Sequence, residues 1–418
     1  MSDADLLVEL FRTALVAVQA GPAVERSLSL DPLEGEVTVL AVGKAACSMA
    51  EGALRVPARV RQGLVVTKEG HGRPVGDLVV REAAHPVPDT RSVQAAEQAV
   101  MLAEQLGRGD TLLVLISGGA SALWSAPAAG IDLGAKIRVT ESLLGAGVDI
   151  AGLNTVRKHL SRIKGGQLAL HAWPARVRTL LVSDVRGDRV DTIGSGPTAA
   201  DPTTFADALE VLKRAGVTPP SEVSDHLKLG ASGGCPETPK PGLAVLESVQ
   251  HSVVATLTDA LRTAEEAAQK RGLRVLPLGD CLYGDVGDEA RALARRTREA
   301  RADGIDLLVA GGEPSVRVRG QGKGGRAQQL AIAFALEVRG EPLTALFAGT
   351  DGTDGPTDAA GALVRPDTVE RALAAGLDPE RALHENDPYP LLDRIGGLLR
   401  TGPTDTNVSD IALIRIRD

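Results

Sequence analysis

Five short glycine- or acid-rich turns hold the residues best able to do chemistry. They are AVGK ending at Lys44, SGGAS at Ser117–Ser121, VSDVRGD at Val182–Asp188, AGGEP around Glu313 and AGTDGTDG at Ala348–Gly355. In SGGAS the missing side chains let the backbone approach a ligand, and N–H groups at a helix start favour phosphate or carboxylate. Lys44 lies just past an apolar run, where its ammonium can neutralise phosphoryl oxygens. A cation at a helix N-terminus is unfavourable unless an anion is close. Asp184, Asp188 and Asp191 crowd one turn; Asp351, Asp354 and Asp358 crowd another. Carboxylates that dense can share Mg²⁺ or take the proton of an attacking hydroxyl. Capping turns and helices is the competing role for each.

A second glycine-rich stretch, SVRVRGQGKGGR, satisfies GxGxxG through Gly320, Gly322 and Gly325. The preceding alternation of Val and Arg is unlike the buried first strand of a dinucleotide-binding unit. The stretch therefore reads as a basic loop, with Arg319, Lys323 and Arg326 able to bind phosphate or carboxylate. Gly43-Lys44 lacks the flanking residues of a P-loop, and neither an HRD loop nor HExxH occurs. His85 and His159 read as structural histidines that chemistry would have to claim.

These turns need elements to hold them. Val37–Gly43, Gly63–Thr67, Thr111–Gly119 and Arg178–Asp184 read as buried strands, and Arg91–Leu106 as a helix. Strands alternating with helices predict a parallel α/β sheet, whose ligands sit at the strands' carboxyl ends. Between Val217 and Gly242 proline and glycine become dense, which predicts a linker or long loop. A second module follows, with helices at Asp259–Gly272, Asp285–Asp303 and Gly325–Val338. Its strands read as LRVLPL, DLLVAGGE and TALFAGTDG, the last clear one. With 418 residues, the expected domains are 1–235 and 243–418, the final segment being free to pack back on the first.

Composition narrows the classes. A net charge of −8 gives the chain no general reason to bind nucleic acid. Three scattered cysteines form neither a disulfide framework nor a metal motif, so a reducing, cytoplasmic setting is expected. The acidic start, MSDADLLVELF, reads as an amphipathic helix, and no membrane span is expected.

Taken together, AVGKAA, GLVVTKEGH, HPVPD, SGGxSAL, LNTVRKHLSRIKGGQLA, VSDVxGD with GSGPTxxDPTT, GGE, GxGGR, GTDGTDGPTDAAGA and TGPTDTNVSD resemble the glycerate 2-kinases of the MOFRL family. The likeness runs from about Val42 to Asp410. It implies a Rossmann-like N-terminal domain, a smaller C-terminal α/β MOFRL domain and an active site in the interdomain cleft. It implies ATP and Mg²⁺ as cofactors and D-glycerate phosphorylated at its 2-hydroxyl. Lys44, Asp184 and Arg326 are then the catalytic candidates. Gly43, Ser117, Gly118, Gly119, Ser121, Asn154, Lys158, Glu313 and Gly325 would bind substrate or nucleotide, and Asp188, Asp351 and Asp354 metal. The expected partners are these small molecules, with neither nucleic acid nor membrane; a homodimer stays open. The chain departs from the family at Ala327 and Gln329, where GGRNQE is usual, at Ala120 in the first turn and at Ala255-Thr256-Leu257. Three other readings remain: a hydroxypyruvate reductase, a non-enzymatic sensor of a nucleotide or sugar acid, and a kinase for another small hydroxy acid.

Overall fold

Runs such as VTVLAV and TLLVLI carry no polar face, so each needs cover on both sides, and a parallel sheet between helices provides it. The computed structural model describes residues 1–417. The chain divides into two units, Ala20–Val254 and Met1–Gln19 with Ala255 onward.

In the first unit the strands are β1 (Glu36–Val42), β2 (Arg59–Lys68), β3 (Val79–Ala83), β4 (Asp110–Ile116), β5 (Arg176–Val182) and β6 (Val249–Ala255). Their order is β3-β2-β1-β4-β5-β6. The five strands β1 to β5 run parallel. From β1 the chain winds outward through β2 and β3, then returns to lay β4, β5 and β6 on the other side. The reversal falls between β1 and β4. Leu40, Val42, Leu112, Val114 and Ile116 are fully buried among Ala95, Ala96 and Ala99 of the helix Thr90–Glu104. A separate apolar cluster joins the helices Leu133–Gly145, Ile150–His159, Phe205–Arg214 and Ser221–Ala231.

The second unit is a mixed sheet ordered β11-β10-β9-β12-β8-β7. Its strands are β7 (Val275–Leu282), β8 (Leu307–Gly312), β9 (Leu343–Gly349), β10 (Gly361–Val364), β11 (Leu398–Leu399) and β12 (Asp410–Ile416). β12 lies antiparallel between β8 and β9. The last segment thus pairs within its own unit. β9 is not the last strand, as expected, because three more follow it. The Val–Arg alternation at 316–319 forms no strand.

The domain boundaries also differ from those expected. The Pro- and Gly-rich region carries the helix Ser221–Ala231 and stays in the first unit, which runs on to Val254. Asp201 explains part of this: its N–H donates to the Pro239 carbonyl at 2.9 Å, and its carboxylate accepts from the Thr238 hydroxyl at 2.9 Å. The N-terminal helix Asp3–Ala17 belongs to the second unit. It buries Leu7, Leu10, Phe11 and Ala14 against the helix Leu257–Gln269 and strands β9 and β12. Glu9 pairs with Arg271, and the Thr406 hydroxyl donates to the Val18 carbonyl. Residues 3–30 are apolar and long enough to span a membrane, but much of that stretch is buried inside the protein and the helix breaks at Gln19.

Candidate active site

In the parallel sheet, Val42 is level with Ile116, and Ile116 with Leu181. The residues just beyond them therefore share one edge: Gly43 and Lys44 after β1, Ser117–Ser121 after β4, and Ser183 and Asp184 after β5. Neighbouring strands lie ~4.8 Å apart, so the β1 and β5 ends are about 10 Å apart with the glycine turn between. This edge at the β1/β4 reversal is where an open α/β sheet leaves its crevice.

The turns interlock. Gly43 has φ 125°, and a side chain there would overlap Ser117. The Lys44 N–H donates to the Gly118 carbonyl at 2.9 Å, and the Ala45 N–H donates to Ser117 Oγ at 3.0 Å. Ser117 is fully buried. Its hydroxyl holds the Lys44 turn. Gly119 has φ 87°; a Cβ there would sit 3.1 and 3.2 Å from the His85 ring and 3.5 Å from Lys44 Cγ. His85, expected to be structural, thus lines the same recess. The helix after the turn, Ala120–Leu123, is only four residues long. Its dipole is small, so any anion held there relies on individual N–H groups.

Behind this edge lies a buried polar chain. Ser121 Oγ is 2.8 Å from Ser195 Oγ, and Ser195 donates to Asn154 Oδ1 at 3.0 Å. Gly194 and Ser195 both have positive φ, which bends the segment after Asp184 back onto the glycine turn. Asn154 and Ser121 therefore brace the turn. Lys158 is likewise engaged by protein: its ammonium lies 3.3 Å from Asp201 and 3.7 Å from Asp191. Burial opposes ionisation of Asp191, but Arg189 and Lys158 hold its carboxyl below the usual range. His159 accepts or donates between Thr155 and Glu237, as a structural histidine does.

The second unit presents one cation with two anchors. Arg326 opens the helix Arg326–Glu337. Its Nε and Nη2 donate to the two carboxylate oxygens of Asp410 at 2.6 and 3.0 Å, a bidentate clamp, and Nη1 donates to exposed Glu313. Burial opposes the charge on Arg326, but Asp410 and Glu313 hold its pKa well above the ordinary value. The structure thus makes Glu313 a partner of Arg326. Asp410, which the sequence did not single out as a site residue, fixes the guanidinium plane. The TNVSD motif that it ends carried the only signal.

The GxGxxG stretch serves neighbouring chain. Side chains on Gly320, Gly322 and Gly324 would overlap Glu385, Asp387 and Pro388. The N–H groups of Arg319 and Gly320 donate to Asn386, and that of Lys323 to Asp387. Lys323 lies 4.1 Å over the Tyr389 ring. At Gly325 a side chain would overlap Asp354, whose carboxylate accepts the Ala327 and Gln328 N–H groups at 3.1 and 2.8 Å. Asp354 thereby closes the helix N-terminus that phosphate would need, which corrects the expectation for Gly325 and the basic loop.

The metal candidates separate on the same grounds. Asp354 is buried and spent on the helix cap, so it is a poor ligand. Asp351 is buried and accepts the Thr353 N–H at 3.0 Å; Asp188 is half-buried with φ 52°. Among the described residues no three His, Cys, Asp or Glu side chains gather to hold a metal. Such a donor set fits Mg²⁺ only when phosphate oxygens and water complete its octahedron.

A doubly wound parallel sheet with a lysine, an acid and glycine turns at its switch point defines an α/β enzyme acting on a small anionic ligand. Residues 6–228 match a family described as a domain of unknown function, DUF4147, and residues 306–410 match the MOFRL family. A D-glycerate 2-kinase of Thermotoga maritima is 39% identical over 416 residues, covering 98% of this chain and 97% of that protein. A putative hydroxypyruvate reductase of Agrobacterium vitis is 40% identical over 425 residues, covering 100% and 95%. The crystal structure of glycerate kinase from Thermotoga maritima superposes with a TM-score of 0.86 at 38% identity, covering 99% of each chain. The chain belongs to the MOFRL family of glycerate kinases.

Proposed function

We propose that this protein transfers the γ-phosphoryl group of ATP to the 2-hydroxyl of D-glycerate, giving 2-phosphoglycerate and ADP. The reading rests on one observation: Lys44, the Ser117–Ser121 turn and Asp184 share the carboxyl edge of a parallel sheet at its switch point, in a family whose relatives include glycerate 2-kinases. Phosphoryl transfer asks the protein mainly for positioning and charge. Lys44 meets the phosphoryl oxygens, and Asp184 takes the proton of the attacking hydroxyl. Asp188 would help to hold Mg²⁺, which would neutralise phosphate charge. The reaction belongs in the cytoplasm, where ATP and Mg²⁺ are abundant.

Reduction of hydroxypyruvate is the second reading, because the Agrobacterium vitis relatives carry that name. Its support in the sequence was GxGxxG. Gly320 and Gly322 lie against residues 385–387 and Gly325 against Asp354, which takes the helix N–H groups a pyrophosphate would need. Incubation with ATP, Mg²⁺ and D-glycerate, followed by separation of 2- from 3-phosphoglycerate, tests the proposal. Formation of 2-phosphoglycerate is expected. Oxidation of NADH by hydroxypyruvate, with no ADP formed from D-glycerate, overturns it.

A further inference from the structure

The helix Leu133–Gly145 buries Ala135, Val139 and Leu143, one stripe at helical spacing, and with them Lys136. Lys136 is only 5% exposed, and its ammonium has no hydrogen-bond partner among the described residues. An unpaired buried ammonium is costly, so a folded protein that keeps one without a carboxylate beside it is unusual. Lys164, 1% exposed, lies near it; its ammonium donates to the Ser121 carbonyl at 2.9 Å. Half-buried Arg157, on the helix Ile150–His159, is close enough for its charge to weaken both lysines. Arg162 is nearby too, but it is already engaged by Glu97 and the Pro127 carbonyl.

The contrast with Lys158 is informative. That lysine is as deeply buried, and two aspartates answer it. Among the described residues no carboxylate pairs with Lys136, Arg157 or Lys164. Burial, and then the charges of Arg157 and Arg162, lower Lys136 to about 7. Burial, then Lys136 and Arg157, lower Lys164 well below its ordinary value. Three cations that weaken one another would be stabilised together by one incoming anion. Through Ser121 the group is fastened to the glycine turn at the switch point, so such an anion would be a substrate's own.

We propose that Lys136, Arg157 and Lys164 form an oxyanion-receiving site attached to the Ser117–Ser121 turn, which takes either the carboxylate of the acceptor acid or a phosphate of the nucleotide. The site deepens the kinase reading and rests on it for the identity of the anion. Lys136 and Arg157 meet the ligand; Lys164 joins them while holding the turn.

The test uses the full chain with Lys136→Met and Arg157→Gln. Binding of D-glycerate, ADP and inorganic phosphate is titrated calorimetrically without turnover, with chloride as control, and Tm is measured with and without each ligand. Lys136→Met is expected to raise the ligand-free Tm by several degrees, since an uncompensated buried charge is removed. It should also weaken oxyanion binding at least tenfold and shrink the Tm rise that ligand gives. Arg157→Gln should weaken binding similarly without the stabilisation, and it keeps the test open if Lys136→Met fails to fold. Loss confined to D-glycerate assigns the carboxylate; loss confined to ADP and phosphate assigns the phosphate. Unchanged affinity for all three ligands in both variants overturns the site. Tight D-glycerate binding that depends on Lys136, in a protein that forms no 2-phosphoglycerate, would sink the kinase reading and leave the site standing.

Discussion

The two glycine-rich stretches, Ser117–Ser121 and Gly320–Gly325, look alike in sequence and do opposite things. In the first, the space beside Gly119 is bounded by His85 and Lys44, and the turn lies at the carboxyl edge of a parallel sheet. In the second, the space beside each glycine is filled by the chain's own residues 385–388 and by Asp354. Glycine permits close approach in both. What approaches is His85 and Lys44 in one and residues 385–388 with Asp354 in the other. Spacing alone cannot tell these apart, because the occupant comes from a distant part of the chain.

Three sets of variants test that contrast. The largest effect belongs to Lys44→Ala and Asp184→Asn. Each should lower kcat by about 10²–10³, or roughly 3–4 kcal/mol of barrier, with little change in Tm. Steady-state kinetics beside thermal melts measures both, and near-normal turnover in either variant removes that residue from the mechanism. Next come Gly119→Ala and Gly325→Ala. At Gly119 a positive φ and the nearby His85 ring should cost about 1–2 kcal/mol of stability, with activity falling more than tenfold. At Gly325 the added methyl displaces Asp354 from its cap, so stability should fall by about 2–4 kcal/mol while the surviving folded fraction keeps most of its kcat. Equal kinetic damage in both variants would erase the distinction between the two stretches.

Much of the frame was legible in the sequence. Apolar runs marked β1 and β5 within two residues and β2 and β4 within four, and the helices at 257–269, 286–302 and 326–337 followed their periodicity. The short strands β10 and β11 carry little pattern of their own and form because β9 stands ready to pair with β10. The first helix was readable as amphipathic, but nothing in residues 3–17 says which distant surface its leucines cover. Lys44 and Asp184 lie where the sequence put them, two residues past a buried strand. Ser117, Asn154 and Lys158 carry the right chemistry but spend it on protein partners. Lys136 was missed because a lysine within an amphipathic helix reads as surface. Its burial is decided by the helices packed around it.

The last test concerns pH and isolates what Asp354 does at Gly325. Burial, then the charge of Asp410, push Asp354 from an ordinary 3.8 up to about 7, against the pull of the Gln328 and Ala327 N–H groups and Arg326. Its folded pKa thus exceeds its unfolded value, so between pH 4 and 7 the folded state binds the extra proton. Stability is therefore lost as pH rises through that window and levels off above it, by up to ~1.4 kcal/mol per pH unit. Asp410 is also raised and adds in the same direction. Asp354→Asn keeps an oxygen for one helix N–H but cannot titrate. Urea unfolding of both proteins at pH 5, 6, 7 and 8 should show the wild type losing stability towards pH 7 more steeply than the variant. The difference between the two curves belongs to Asp354, because Asp410 is present in both. A pH-independent gap would mean that Asp354 is ionised throughout, an ordinary cap whose negative charge is fully met by the helix N-terminus and Arg326. The second glycine stretch would then owe its geometry to a fixed carboxylate, with no protonation step in its stability.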